Sequence, residues 1–157
     1  MNSLEVPSGR SRSDVSVRDT GPRGRGVFAG RDFAPGETVL SARRATVAAE
    51  RSTYTFQFGD DLHIEAHEPA SLVNHACDAN TGVRDNAFGA YDLVSRRRIA
   101  AGEEITFDYE TTEFGPMIME SCHCGGPTCR GTLRGFRYRA DLIRTLYGEF
   151  IAGYLKR

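Results

Sequence analysis

The chain is nearly devoid of lysine. Among its 157 residues Lys156 is the sole example, and every other permanently cationic side chain is an arginine. A GC-rich genome accounts for a bias of that kind. No apolar run approaches the roughly 20 residues that a membrane-spanning helix needs, and no membrane partner is expected. Met1 to Arg18 contains no apolar h-region, so a secretory signal is not expected and the thiols should stay reduced. A formal net charge of −1 gives no global reason for a nucleic-acid or membrane-surface partner. The length accommodates one domain with a real core and is short for two.

Cysteine is also scarce, and all four examples can be assigned to one metal site. Cys122, Cys124 and Cys129 form a Cys-x-Cys-x4-Cys cluster near the C-terminus, while Cys77 stands alone in Asn74-His75-Ala76-Cys77-Asp78-Ala79-Asn80. Zinc favours four tetrahedral ligands and binds thiolates well. The cluster supplies three and needs one more. If Cys77 completes the set, the tail is clamped against the Asn74-His75 segment, and a cleft between the two could hold a cofactor.

Most of the chain reads as short strands. Val15 and Val17 begin an alternation that ends in the glycine-dense turn Gly21 to Gly26, followed by a strand at Val27-Phe28-Ala29. Thr38 to Leu40, Tyr54 to Phe58, Leu62 to Ala66, Ala90 to Val94, Arg98-Ile99 and Ile105 to Tyr109 complete the strand reading. Pro69 to Val73 reads as a short helical turn. The end differs: Phe136, Ala140, Ile143, Tyr147, Phe150 and Tyr154 recur at helical spacing. One or two helices are expected from Arg137 to Leu155, weakened at Gly148 and Gly153 by about 1 kcal/mol each relative to alanine. Residues 1–14 read as a flexible arm, 15–115 as a domain, 116–135 as a zinc segment and 136–157 as a helical extension.

Four segments stand out in order: Arg23 to Ala29, Tyr54-Thr55-Phe56, Asn74 to Asn80, and Gly102-Glu103-Glu104-Ile105-Thr106-Phe107-Asp108-Tyr109, with the cysteine cluster after them. In this order and spacing the chain resembles the SET-domain protein lysine methyltransferases with a post-SET zinc motif, over roughly Val15 to Leu133. The resemblance implies a mainly β fold of several small antiparallel sheets with a knot-like crossing of the Asn-His and Phe-Asp-Tyr segments; the C-terminal helical tail is read from periodicity. It implies methyl transfer from S-adenosyl-L-methionine to a lysine amine of a protein or peptide. With Lys156 alone, such an enzyme offers almost no lysine of its own to compete with substrate.

The family's roles fall on particular positions. Arg23, Gly24, Arg25, Tyr54, Asn74, His75 and Leu133 match cofactor-binding positions. Gly24 lets a ligand approach the main chain, either arginine could pair with a cofactor carboxylate, and Leu133 could cover the adenine face. Tyr109 matches the catalytic tyrosine, and Tyr54 a second tyrosine lining the lysine channel. A lysine amine has an unperturbed pKa of about 10.4 and must lose a proton before attack, so Tyr109 is expected to orient and stabilise while desolvation removes the charge. Phe107 matches a position that influences methylation degree, and its lack of a hydroxyl suggests di- or trimethylation. Cys77, Cys122, Cys124 and Cys129 match the four ligands of one structural Zn2+, a closed site that does no catalysis.

Departures from the pattern include Ser71-Leu72-Val73 before the Asn-His pair, Ala79 after Cys-Asp and Thr132 after Cys-Arg-Gly. They bear on the substrate channel more than on the cofactor. Asp60, Asp61, Glu65, Glu68, Glu110 and Glu113 either favour a basic peptide or form a solvated face. The competing reading is a catalytically weak, zinc-stabilised binding module of the same fold. A monomer, or a weak dimer through the C-terminal helix, is expected, in the cytoplasm if the source is bacterial and in the nucleus if eukaryotic. Metal analysis of the pure protein should return one zinc per chain; active protein free of metal would count against the whole arrangement.

Overall fold

Among the described residues, alternating apolar and polar residues fold into ten short strands in three sheets. A computed structural model describes residues 14–157; the expected arm lies outside the described residues apart from Asp14. The first sheet runs in the order β1 (Val15–Asp19), β2 (Arg25–Ala29), β10 (Glu104–Phe107), β7 (Asn74–His75). A second contains β3 (Thr38–Ser41), β9 (Tyr91–Ser95) and β8 (Thr81–Asp85), and a third β4 (Arg44–Val47), β6 (Leu62–Ala66) and β5 (Thr55–Gly59). All pairings are antiparallel except that of β7 with β10. Val27 pairs with Ile105 in the first sheet, and both are fully buried. Phe33, Val39, Ile64, Tyr91 and Ile99 carry the same core between the sheets.

Three expectations need correction. Arg98-Ile99 is no strand; Ile99 makes only an isolated bridge to Phe33. The strand expected to reach Tyr109 stops at Phe107, because the Asp108 carboxylate accepts from Glu110 N–H at 3.0 Å and opens a 3-10 turn over Tyr109–Thr111. β4, β7 and β8 were not foreseen. β4 lies mostly exposed and its sequence, Arg-Ala-Thr-Val, shows no apolar alternation; β8 is half buried, half exposed along its length. The expected turn before Asn74 is present as a 3-10 turn over Ala70–Leu72.

The C-terminal helix α1 (Phe136–Tyr147) kinks at Arg139 and ends before Gly148; a separate 3-10 turn follows at Gly153–Lys156. Its apolar face buries Phe136, Ile143 and Tyr147; full burial of each such side chain is worth roughly 1.5–3 kcal/mol. Its first turn is held by the segment after β10. Phe136 N–H donates to Glu113 O at 2.9 Å and Arg137 N–H to Phe114 O at 3.0 Å, so helix-start donors that would lack partners are satisfied. The two chains can approach this closely because Gly115 and Gly135 lie back to back. A Cβ on Gly135 would stand 2.5 Å from Gly115 Cα, and both glycines have positive φ, +108° and +113°.

Tyr147 completes the attachment. Its hydroxyl donates to Asp108 Oδ2 at 2.9 Å and accepts from Ala79 N–H at 3.3 Å, joining α1 to both segments beneath it. Tyr147→Phe should lower stability by about 1–3 kcal/mol by leaving buried partners unpaired, read from the denaturant midpoint. An unchanged midpoint would show that the bond to Asp108 carries no weight.

Candidate functional site

The parallel pairing of β7 with β10 builds the site. Thr106 lies opposite Asn74 and Phe107 opposite His75, so the Asn-His and Phe-Asp-Tyr segments run side by side. The buried His75 ring sits between them. Its Nδ1 accepts from Tyr109 N–H at 3.0 Å, which leaves the proton on Nε2, 3.4 Å from Cys77 Sγ. Burial, with the Arg130 guanidinium nearby, pushes the imidazole down to about 3 and keeps it neutral. Asp108 Oδ1 at 3.7 Å from Nδ1 is therefore no ion pair. The ring does structural work: it ties the backbone of Tyr109 to a cysteine of the cluster.

The four cysteines converge as the spacing suggested. All are free, and their sulfurs lie within 4.8 Å of one another. Cys122 Sγ stands 3.6 Å from the sulfurs of both Cys77 and Cys129. Tetrahedral zinc with bonds of 2.3 Å needs sulfur separations of about 3.8 Å, so the set fits one closed four-thiolate ion. Burial pushes the Cys77 and Cys122 thiols up, and a bound cation is what would hold them as thiolates. No histidine joins the group. Arg130 follows the last ligand and locks the tail down. Its N–H donates to Cys77 Sγ at 3.2 Å, and its guanidinium reaches Cys77 O at 3.1 Å, Asp108 Oδ1 at 2.8 Å and Glu110 Oε1 at 2.5 Å.

Two openings meet at Tyr109, with Tyr54 and Val73 shared between them. The first is walled by Arg23, Arg25 and Asn74. The second is walled by Phe56, Phe107, Thr112 and Glu113, with Arg51 at its side. Where they join, the Tyr109 hydroxyl donates to Val73 O at 2.8 Å. Burial pushes the phenol far above its usual range, so it stays protonated and presents an oxygen lone pair. Phe107 is 3 % exposed, its ring stacked on Phe56 at 5.7 Å and tilted against Tyr109 at 4.8 Å. Tyr54 is 60 % exposed and stands at the rim.

On the cofactor side the arginines are partly occupied. Arg23 makes two bonds to Glu104, at 3.2 and 2.5 Å, and Arg25 lies 3.5 Å from Glu68. The Asn74 amide donates to Glu104 Oε2 at 2.9 Å and to Arg25 O at 3.1 Å. Glu104 is thus the organiser of this wall, and the sequence reading missed it; 81 positions separate it from Arg23, and no local signal links them. Gly24 faces open space, as close ligand approach requires, whereas a Cβ on Gly26 would meet Glu104 Oε2 at 2.6 Å. An opening lined by backbone, an asparagine and two guanidiniums fits a polar cofactor that carries a carboxylate.

Leu133 belongs elsewhere. It is 3 % exposed and packs with Cys77, Met117 and Cys122, and it lines neither opening. Glu110 and Glu113 are likewise no surface charges for a basic peptide; both are buried. Burial opposes the charged form of Glu110, yet the N–H groups of Gly135 and Arg134 and the guanidiniums of Arg130 and Arg139 hold its carboxyl below the usual range. Asp60 and Glu68 pair with Arg157 and Arg25. Residues 136–157 line neither opening, so the helix buttresses the site from behind.

The SET-domain family model matches residues 24–110. Among curated proteins, a histone-lysine N-methyltransferase, H3 lysine-36 specific, from Mycosarcoma maydis is 38 % identical over 147 residues, covering 80 % of this chain and 15 % of the relative. One of the same description from Candida albicans is 30 % identical over 140 residues, 76 % of this chain and 16 % of the relative. The methyltransferase flvH of Aspergillus flavus is 31 % identical over 103 residues, 64 % of this chain and 57 % of the relative. The chain thus spans a small part of the histone-directed relatives and over half of the last. The matched segment takes in β2, both parallel strands and Tyr109, more than half of the sequence, and this chain belongs to the SET-domain family.

Proposed function

We propose that the protein transfers methyl groups from S-adenosyl-L-methionine to a lysine side-chain amine of a protein or peptide. The observation that carries the reading is the meeting of two differently lined openings at one protonated tyrosine. A polar wall of Arg23, Arg25 and Asn74 suits the cofactor; an aromatic wall of Phe56 and Phe107 suits the extended methylenes of a lysine. When bound, the cofactor supplies an electrophilic sulfonium methyl.

The chain's own residues do the rest. Asn74 and Arg25 position the donor from one side. Phe56, Phe107 and Val73 exclude water around the amine, which disfavours its charged form. The Tyr109 oxygen, its proton committed to Val73 O, offers weak C–H···O and N–H···O acceptance that aligns methyl and amine. Residues 116–135 act as the zinc segment that holds Tyr109 in place through Cys77 and His75, and 136–157 as the buttress. The relatives' histone-directed names favour a protein substrate and, with it, the nuclear setting of the two left open by the sequence.

A methyl-transfer assay with labelled cofactor on a lysine peptide array tests the proposal. Signal should require both partners, and Tyr109→Phe should cut kcat on the order of 10²-fold through lost alignment while calorimetry shows cofactor binding intact. Binding without transfer by the wild type, on any peptide or lysate protein, would instead favour a catalytically weak binding module. Phe107→Tyr should shift the products toward mono- and dimethyl lysine in mass spectrometry; an unchanged distribution would remove Phe107 from product control.

A further inference from the structure

Glu113 is a buried carboxylate on the wall of the aromatic opening, and its two oxygens differ. Oε2 is fully used: it accepts from Gln57 N–H at 2.9 Å and from the Thr112 hydroxyl at 2.9 Å. Oε1 has no hydrogen bond among the described residues; an Arg51 guanidinium nitrogen stands 3.8 Å away, beyond bonding distance. That nitrogen, Nη2, donates to Pro116 O at 2.7 Å, and the Arg51 Nε is buried without a partner. Both side chains line the opening that also holds Phe107 and Tyr109. A carboxylate fixed by one oxygen, with the other free, beside a cation anchored on a backbone carbonyl rather than on that oxygen, is an acceptor awaiting a donor.

The geometry points to Glu113 as the residue that receives the substrate lysine ammonium and takes its proton, which makes it a catalytic residue. This rests on the lysine-methyltransferase reading above. In the step, one Nζ–H bond breaks and a Glu113 Oε1–H bond forms, leaving a neutral amine with its lone pair. No other bond changes and no electron is transferred. The methylated product carries the positive charge away, and Glu113 gives its proton to water at the mouth, where its side chain is 11 % exposed.

The surroundings match that task. Burial pushes the Glu113 carboxyl above its usual range, with Gln57 N–H, Thr112 and Arg51 opposing, which makes it a stronger base than a surface glutamate. Arg51 also disfavours a second cation beside it, so the incoming ammonium is pressed to give up a proton. The groups facing Glu113 are Arg51 and Tyr54 from the segment leading into β5, Tyr109 from its own segment, Tyr91 from β9 and Tyr154 from the C-terminal turn. His63 on β6 faces Arg51 and is pushed down by burial and by that guanidinium, so it adds no charge at neutral pH. The tyrosines Tyr91, Tyr109 and Tyr154 are all raised by burial and stay neutral.

Glu113→Gln keeps an oxygen for Gln57 and Thr112 and removes the charge. By calorimetry it should weaken a lysine peptide about tenfold and leave a norleucine peptide unchanged; equal effects on both peptides would overturn the proposal. In kinetics, kcat/KM should fall about 10²-fold at pH 7, with the deficit shrinking as pH rises toward the lysine pKa. A peptide whose terminal amine is an aminooxy group, uncharged at pH 7, should show no deficit. A loss that is the same at every pH and for both amines, or no loss, overturns the assignment. If Glu113→Gln does not fold, Arg51→Gln tests the pair from the other side. Removing that cation raises the carboxyl further, so the acid limb of the wild-type profile should move to higher pH; a fixed limb overturns the assignment. Failure of the wild type to methylate any lysine would strike the underlying reading instead.

Discussion

Four sulfur atoms must meet within 4.8 Å, one from the body of the protein and three from its tail, and the rest of the site depends on that convergence. Cys77 is two residues from His75, and the His75 ring holds the backbone of Tyr109. The position of the Tyr109 phenol is therefore linked through one imidazole to the cysteine cluster. A four-thiolate ion held there would have no open coordination position, and its place would be to fix the geometry around Tyr109. Arg130 reinforces the same junction by bridging the tail to Cys77, Asp108 and Glu110. A buried guanidinium between two buried carboxylates is weak evidence of net stability, but losing one partner leaves an uncompensated charge, at about 3–5 kcal/mol.

The C-terminal helix belongs to this arrangement. Glu110 accepts the N–H groups of Arg134 and Gly135 just before α1, and Tyr147 at its other end reaches Asp108. The segment from Asp108 to Phe114 is thus gripped from both ends of one helix, while its side toward the openings presents Tyr109, Thr112 and Glu113. A back held by the helix and a front lining the openings, on seven residues, explain why so many buried polar groups collect there. Each is paired through at least one atom by backbone amides, hydroxyls or guanidiniums, as burial demands, and Glu113 Oε1 alone among these carboxylate oxygens is left without a hydrogen bond among the described residues.

Part of this was legible beforehand. The Cys-x-Cys-x4-Cys cluster lacked one thiol that Cys77 could supply, and the structure brings the four sulfurs together. Strand alternation gave seven of the ten strands, and helical periodicity gave α1. What the sequence missed was long-range and electrostatic. Glu104 clamps Arg23 across 81 residues, and Arg51 approaches Glu113 from a loop with no motif of its own. Leu133 matched a cofactor contact from its place after Cys-Arg-Gly, but it is buried against Cys77, Met117 and Cys122 and lines neither opening.

By itself the sequence determined which atoms could bind metal and that helical structure follows the strands, since ligand chemistry and periodicity are local properties of the chain. The tertiary structure alone decided which acids are surface charges and which are buried, because that depends on what a strand far away brings alongside. It also decided that Glu113 keeps one oxygen unpaired in the aromatic opening, an outcome set by the register of Gln57 against the turn after β10.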